Sequence, residues 1–431
     1  MSEAGLLLRA PQAPRPAPPS PPAWSEAPSG PLWLDVSRLL WRVYRGTLTG
    51  IDRVELAYAQ HLLAEAGPRL QFLAFDYRGG FGFLPRARTA ALVRAVGPAW
   101  ESGTLGRLSL RALALLAGSV MRLRALPRCT PGAARPVYLN VSHHPLAHTG
   151  AVARMLARTG AAFVPLMHDL IPIDFPEYVA PAETARHHRR LVTVAGLATA
   201  VLANSAATAQ ALAPHLPAGL RVQPVPLGVM PRRAVPLPVG LADGAPYFLC
   251  LGTIEPRKNH LMLLHLWRQM VEQAEARRQP VPRLVIAGQR GWDNEQVLDM
   301  LDRCARLRAH VLETGLVSDG MVAGLMAGAR ALLMPSFVEG FGLPVAEALA
   351  AGVPVLASDI AAHREVGGPV PDYLDPLDVP AWQDAVQAYA APESPRRAAQ
   401  MKRLAAWEMP GWPAHIDAAL AFIEEVMAPA A

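Results

Sequence analysis

The sequence predicts an α/β protein of two doubly wound, Rossmann-like domains facing each other across a cleft, and three observations carry that prediction. The apolar run ARALLMPS at 329–336 reads as a buried strand, AEALAAG at 346–352 as a helix, and GVPVLAS at 352–358 as a second buried strand. Joined in this order they make a βαβ unit, whose ligand crevice lies at the carboxyl ends of its strands. The same alternation of apolar strand and helix runs through both halves of the chain, as a doubly wound fold requires. The 431 residues suffice for two such domains with full cores, and 52% hydrophobic against 18% charged content excludes a disordered chain.

Taken in order, residues 1–31 are expected to be a disordered tail. Prolines from 11 to 31 block helix and sheet, and the basic-then-apolar order of a signal peptide is missing. The amino-terminal domain is expected over 32–232. It opens on LWLDVSRLLW, and TGIDRVELAYAQHLLAEAG at 49–67 supplies a turn followed by a helix with apolar residues at helical spacing. QFLAFDY follows, then an arginine- and alanine-rich helical stretch through residue 128. Its most apolar part, 108–128, is interrupted by arginine every few residues and fails as a membrane span. It reads as an amphipathic core helix, with a basic face lying on an anionic membrane as the alternative. VYLNVSHH at 137–144 and AAFVPLMHDLIPIDFPEY at 161–178 continue the domain, the second joining an apolar strand to His168 and Asp169. ATAVLANS ends at Ser205, an N-cap for the helix AATAQALAPHL, and RVQPVPLGV closes the domain. A proline-rich linker over 233–245 leads to a carboxyl-terminal domain over 246–412, and a last helix over 413–431 is expected to pack back across the junction.

The chemistry concentrates in PSFVEGFGLPVAE at 335–347, where Glu339 and Glu347 stand eight apart around a glycine-rich turn that opens a helix. Gly340 and Gly342 let a ligand approach the backbone, and Pro344 suits a first helical turn whose unpaired N–H groups favour negative charge. A carboxylate at Glu347 is placed to accept hydrogen bonds from a ribose diol, whereas the plain alternative has Glu339 capping the helix and Glu347 merely solvated. Gly252-Thr253-Ile254-Glu255-Pro256-Arg257-Lys258-Asn259 follows the strand YFLCL and precedes a helical run, so Arg257 and Lys258 emerge at a strand-to-helix turn facing the same crevice. Fixed cations there stabilise the charge that gathers on a departing diphosphate.

Residues 245–370 resemble the carboxyl-terminal domain of the retaining glycosyltransferases of family 4, enzymes of the GT-B fold. The resemblance rests on PYFLCLGTIEPRKNHLMLL, RLVIAGQRGW, HVLETGLVSDG and the EX7E stretch, in order and at compatible spacing. It implies that Glu339 contacts the donor sugar together with Gly340, Phe341, Gly342 and Leu343. It further implies that Glu347, Gly252 and Thr253 hold the nucleotide, and that Arg257 and Lys258 bind the diphosphate. His168 is read as a group at the donor sugar, with Asp169 either orienting its ring or capping the next turn. Gly50 and Arg53 resemble a phosphate- and acceptor-side loop after the first strand, here with one glycine instead of two; helix capping by Thr49 and Asp52 is the alternative.

The function so implied is transfer of a hexose, mannose from GDP-mannose as the first expectation, to a glycan or lipid-linked acceptor in polysaccharide biosynthesis. A catalytically inactive nucleotide-sugar-binding or scaffold protein is the alternative. No cofactor beyond the nucleotide sugar, no metal and no nucleic-acid partner are expected, since no DXD-like acidic pair stands near these motifs. Cys129, Cys250 and Cys304 are too widely spaced for a disulfide framework and fit a reducing cytoplasm. The net charge of +6 and the arginines of 86–128 suggest a peripheral association with the inner face of the cell membrane.

Overall fold

The computed structural model describes residues 30–428 apart from 47, 77–79, 123–124, 131, 133, 231, 238–240, 242–243 and 279, and without the side chains of 116–122. The tail expected over 1–31 therefore lies, up to position 29, outside the described residues.

The first sheet contains β1 (Leu32–Asp35), β2 (Leu70–Asp76), β3 (Gly80–Phe83), β4 (Val137–Asn140), β5 (Ala162–Met167), β6 (Val201–Ala203) and β7 (Val222–Pro224). Their order is β3-β2-β1-β4-β5-β6-β7, with only β2 against β3 antiparallel among the recorded pairings. The second sheet contains β8 (Tyr247–Leu251), β9 (Arg283–Ala287), β10 (Val311–Gly315), β11 (Leu332–Met334), β12 (Val355–Ser358) and β13 (Asp372–Leu374), ordered β10-β9-β8-β11-β12-β13 and parallel throughout. The central strands are continuous apolar runs because helices cover both faces. In the first domain, Leu39, Val54 and Ile416 from three helices share one core with Leu34 and Phe72. On the opposite face, Met155 and Val194 from two other helices pack with Trp33, Tyr138 and Phe163. The second domain divides likewise, with Trp267 and Trp382 against Phe248 on one side and Leu325 and Val345 against Leu249 on the other.

Each sheet reverses its direction of winding once, between β1 and β4 and between β8 and β11. Strand ends at such a reversal leave a crevice, because the flanking connections depart to opposite faces. The two crevices face each other. The helix Trp412–Met427 leaves the second domain and packs into the first, where His415 Nε2 meets the Tyr58 hydroxyl at 2.9 Å and Trp412 and Ile416 join the core. Val235, in the stretch expected as a linker, lies against the second domain, its amide donating to the Gly320 carbonyl at 3.1 Å.

Beneath the first crevice, Asp35 and Glu55 are fully buried. Glu55 Oε1 accepts the Leu39 amide at 2.9 Å, while Oε2 has no partner. Burial pushes the Glu55 carboxyl up to about 8. A proton held in the folded state but lost from the unfolded one gives stability that is full below pH 4.5 and fades as pH rises through about 8. We therefore expect wild type to lose stability relative to Glu55→Gln between pH 5 and 8.5 in urea unfolding. Parallel stability curves for the two proteins would contradict this.

Candidate functional site

Arg257 and Lys258 lie in a short 3-10 turn, Pro256–Lys258, between β8 and the helix His260–Arg277, and Glu339 lies in the loop after β11. The reversal between β8 and β11 thus brings together three groups that are 81 and 82 positions apart in sequence. Arg257 Nη1 donates to Glu339 Oε2 at 2.6 Å and Lys258 Nζ to Oε1 at 2.5 Å, where the Ser336 hydroxyl adds a third bond at 2.8 Å. The backbone is tied as well, the Phe337 amide donating to the Arg257 carbonyl at 2.8 Å. Glu255 completes the cluster at 2.6 Å from Arg257.

Burial opposes ionisation of Glu339, but Arg257 and then Lys258 outweigh it and hold the carboxyl far below the usual range. For Arg257 the opposite sign applies. Burial works against its charge, and Glu339 followed by Glu255 raises its pKa above the ordinary value. Glu339 and Arg257 are therefore both charged at neutral pH, while burial pushes the neighbouring Glu255 carboxyl up.

The loop that carries Glu339 is shaped by its glycines. A β-carbon on Gly340 would collide with the carbonyl oxygen of His168 in the first domain, and Gly342 has φ +93° at the N-cap of the helix Leu343–Ala350. The Gly340 carbonyl accepts the Ser205 hydroxyl at 2.9 Å, so the loop is also the meeting point of the two domains. Ser205 caps its helix by accepting the Thr208 amide.

Glu347 stands one helix turn further on and receives Arg232, from the stretch between the domains, in a charged hydrogen bond. Arg53 lies 4.0 Å from Glu347 and makes two bonds of 2.5 Å to Asp319, with its guanidinium 4.1 Å from the centre of the Trp100 ring. These groups border a cavity of about 250 Å³ that Gly50, Gly252, Thr253, Gly288 and Gln289 also line.

Packing and capping contacts set the positions of three of the expected groups. Phe341 is 5% exposed and packs in the core of the first domain, so it plugs the domain junction instead of presenting its ring to the crevice; an apolar ring gains more by leaving water. The His168 imidazole is turned inward: Nε2 bonds to the Val141 carbonyl at 2.8 Å, the ring lies 4.9 Å from that of His143, and burial lowers its pKa to about 4. It is the backbone carbonyl of His168 that meets Gly340. Asp169 caps the turn at Ile171, whose amide it accepts at 3.1 Å. Finally, Gly50 and Arg53 belong to the first turn of the helix Gly50–Glu65, which follows a helix, Ser37–Arg45, and not the strand β1 directly. Thr49 and Asp52 form its capping box.

Arg232, Asp319, Glu255 and Ser336 join the site without having been picked out. Glu255 adjoins the Arg257-Lys258 pair, and that proximity was a usable signal. Arg232 is one of two arginines at the head of a proline-rich stretch, where nothing in the local pattern predicts a partner 115 positions away.

Residues 236–369 match the family "Glycosyl transferases group 1", which extends over the stretch carrying the four motifs. The O-antigen chain mannosyltransferase B of Escherichia coli is 38% identical over 143 residues, 33% of this chain and 35% of that protein. The serotype-specific mannosyltransferase WbdA of Escherichia coli is 32% identical over 230 residues, 48% of this chain and 27% of that protein. The chain thus spans about a third of the length of these curated relatives. Among solved structures, sucrose-phosphate synthase from Thermosynechococcus elongatus superposes with a TM-score of 0.58 at 16% identity, covering 93% of this chain and all of that one. Anabaena HepE in complex with UDP-glucose gives 0.56 at 14% identity, over 91% and 99% of the two chains. The fold is GT-B, as the motifs implied.

Glu339→Gln should expose the cost of the buried cluster, since it leaves Lys258 without its carboxylate. Removing one partner of a buried charge pair costs about 3–5 kcal/mol, whereas breaking an exposed ion pair costs less than about 1 kcal/mol. Urea unfolding of Glu339→Gln and of Arg290→Ala, whose partners Asp302 and Glu313 lie at the surface, should differ in that direction. Equal stabilities would show that the cluster is not desolvated.

Proposed function

We propose that this chain is a retaining hexosyltransferase that moves mannose from a nucleoside-diphosphate mannose to a hydroxyl of a glycan or lipid-linked glycan in polysaccharide assembly. The observation that carries the reading is the close-bonded cluster of Glu339, Arg257 and Lys258 at the winding reversal of the domain that matches the group 1 glycosyltransferase family. The mannosyltransferase names of the relatives supply the sugar and the process.

In this reading, the nucleotide occupies the cavity lined by Gly252, Thr253 and Glu347, with Glu347 exchanging Arg232 for the ribose hydroxyls. Arg257 and Lys258 face the diphosphate, and Glu339 holds the sugar. The acceptor oxygen forms its bond to the anomeric carbon as the bond from that carbon to the diphosphate oxygen breaks. The bonding pair leaves with the diphosphate, and the acceptor proton passes to the departing oxygen on the same face. Two fixed cations lower the barrier because their dipolar and ionic environment is already arranged before charge moves. No side chain in this scheme becomes covalently attached to the sugar.

Lys258→Ala and Arg257→Ala are expected to lower turnover on the order of 10²–10³ with GDP-mannose and a mannose oligosaccharide, an effect of the size seen for lost transition-state contacts. The urea midpoint should shift less than in Glu339→Gln. Normal turnover in either variant would remove that residue from the site.

We also propose that the first domain rests on the membrane that carries a lipid-linked acceptor. Among the described residues no helix is long and apolar enough to cross a bilayer. The helix Ser109–Arg122 leaves Leu110 78% and Leu113 39% exposed, and Arg107 and Arg111 are exposed beside them. An apolar strip flanked by cations suits an anionic interface, where each nearby charge gains about 1 kcal/mol at low salt. Flotation with phosphatidylglycerol liposomes should retain the protein at low salt and release it at high salt. Free protein at low salt would end the membrane proposal alone.

A further inference from the structure

A second cavity, of about 320 Å³, opens on the other side of Glu339. The first domain contributes Asp169, Asp174, Phe175 and Thr208 to its wall, and the second contributes Phe337 and Glu339. Phe175 also begins a run of rings that crosses the domain boundary. Its centre is 6.2 Å from that of Tyr178 at an interplanar angle of 23°, and Tyr178 is 5.7 Å from Phe337 at 3°. The Trp292 indole N–H donates to the Tyr178 carbonyl at 3.2 Å, extending the patch. Phe175 and Trp292 are 38% and 40% exposed. Core packing does not require such rings at a cavity mouth, and a patch of exposed apolar surface rimmed by polar groups marks a binding surface.

We propose that this cavity is the acceptor subsite and that it holds an uncharged hexose unit of a glycan chain, an inference that rests on the transferase reading above. A pyranose ring offers two kinds of surface. Its face of C–H bonds carries slight positive charge and lies against the negative face of an aromatic ring. Its hydroxyls donate to carboxylates, and Asp169 and Asp174 line the wall. An anionic headgroup meets the wrong surface here. The cavity presents three carboxylates and its described lining holds no lysine, arginine or histidine, while His215 stands 3.9 Å from Asp174 on the exposed side.

The position agrees with the chemistry. A β-carbon on Gly252, which lines the nucleotide cavity, would sit 3.3 Å from Cε of Lys258. Lys258 is bonded to Glu339, which lines the second cavity. One ion pair therefore stands between the two cavities, and a sugar in the second lies against the carboxylate that the transferase reading gives to the donor sugar.

The test uses mannotriose as acceptor probe and two exposed substitutions, Phe175→Ala and Asp174→Asn, neither in the ionised cluster. With GDP-mannose as donor, each should raise KM for mannotriose about tenfold, as expected from losing one ring or carboxylate contact. KM for GDP-mannose and its slow hydrolysis by water should stay unchanged. Mannotriose titrated into the donor-free protein should perturb the fluorescence of Trp292, read as the difference from Trp292→Phe, and mannose 6-phosphate should bind at least tenfold more weakly. Unchanged acceptor KM in both variants, tighter binding of the phosphosugar, or no binding of mannotriose would each overturn the subsite while leaving the transferase intact. Ring-dependent mannotriose binding without transfer from any nucleotide sugar would instead overturn the transferase reading and with it the acceptor role, leaving only a glycan-binding site.

Discussion

The arrangement depends on the burial of two cations against one carboxylate. Lys258 and Glu339 are 9% and 8% exposed at their side chains, and Arg257 is 21% exposed. Taking each of these ions out of water costs several kcal/mol, which their mutual attraction offsets only at close range. The cluster therefore tolerates little displacement of the two loops that carry it. Its requirement fixes the loop after β11 against the turn after β8, and the bond from Phe337 to the Arg257 carbonyl holds the same register through the backbone. With the loop fixed, Gly340 reaches His168 and Phe341 enters the first domain's core. The electrostatic demand of the site thus also sets where the two domains touch.

The other contacts between the domains are of a different kind. Ser205 and Thr208 donate to the Gly340 carbonyl, Glu365 accepts the amides of Ala206 and Ala207, Arg53 binds Asp319, and Arg232 binds Glu347. The neutral bonds among these each contribute about 1 kcal/mol net and those to charged groups about 1.5–3 kcal/mol, and water or a ligand offers partners of the same kind. They are exchangeable. The helix Trp412–Met427 is not, since it buries Trp412, Ile416, Leu420 and Ile423. It keeps the domains tethered while the polar contacts across the cleft are free to be replaced by ligand oxygens.

The sequence displayed the fold where one physical rule acted locally. Buried parallel strands are continuous apolar runs, so YFLCL, RLVIA and ALLM were legible without a partner in view. The Arg257-Lys258 turn and the Glu339 loop were legible for a related reason, since a glycine-rich strand end that opens a helix has few other uses. What escaped was set by distance in the chain. The Arg232 to Glu347 pair, the ring of Tyr178 over Phe337 and the inward turn of His168 all depend on how two domains meet, which no local pattern encodes. The packing of Phe341 was not legible either: it lies within a glycine-rich turn, and only the neighbouring domain's core explains where its ring goes.

Glu339 separates two environments that differ in charge. Toward Gly252 lies Lys258, with N–H groups of a helix start nearby, which suits an anion that carries its own phosphates. Toward Phe175 lie rings and carboxylates, which suit a neutral polyol and repel an anion. The Glu339 carboxylate is paired with Arg257 and Lys258, yet its oxygens keep acceptor capacity for hydroxyl groups. In the reading proposed above, sorting by charge on opposite sides of one wall directs two sugars, one bound to phosphate and one not, to different sides of a common carboxylate.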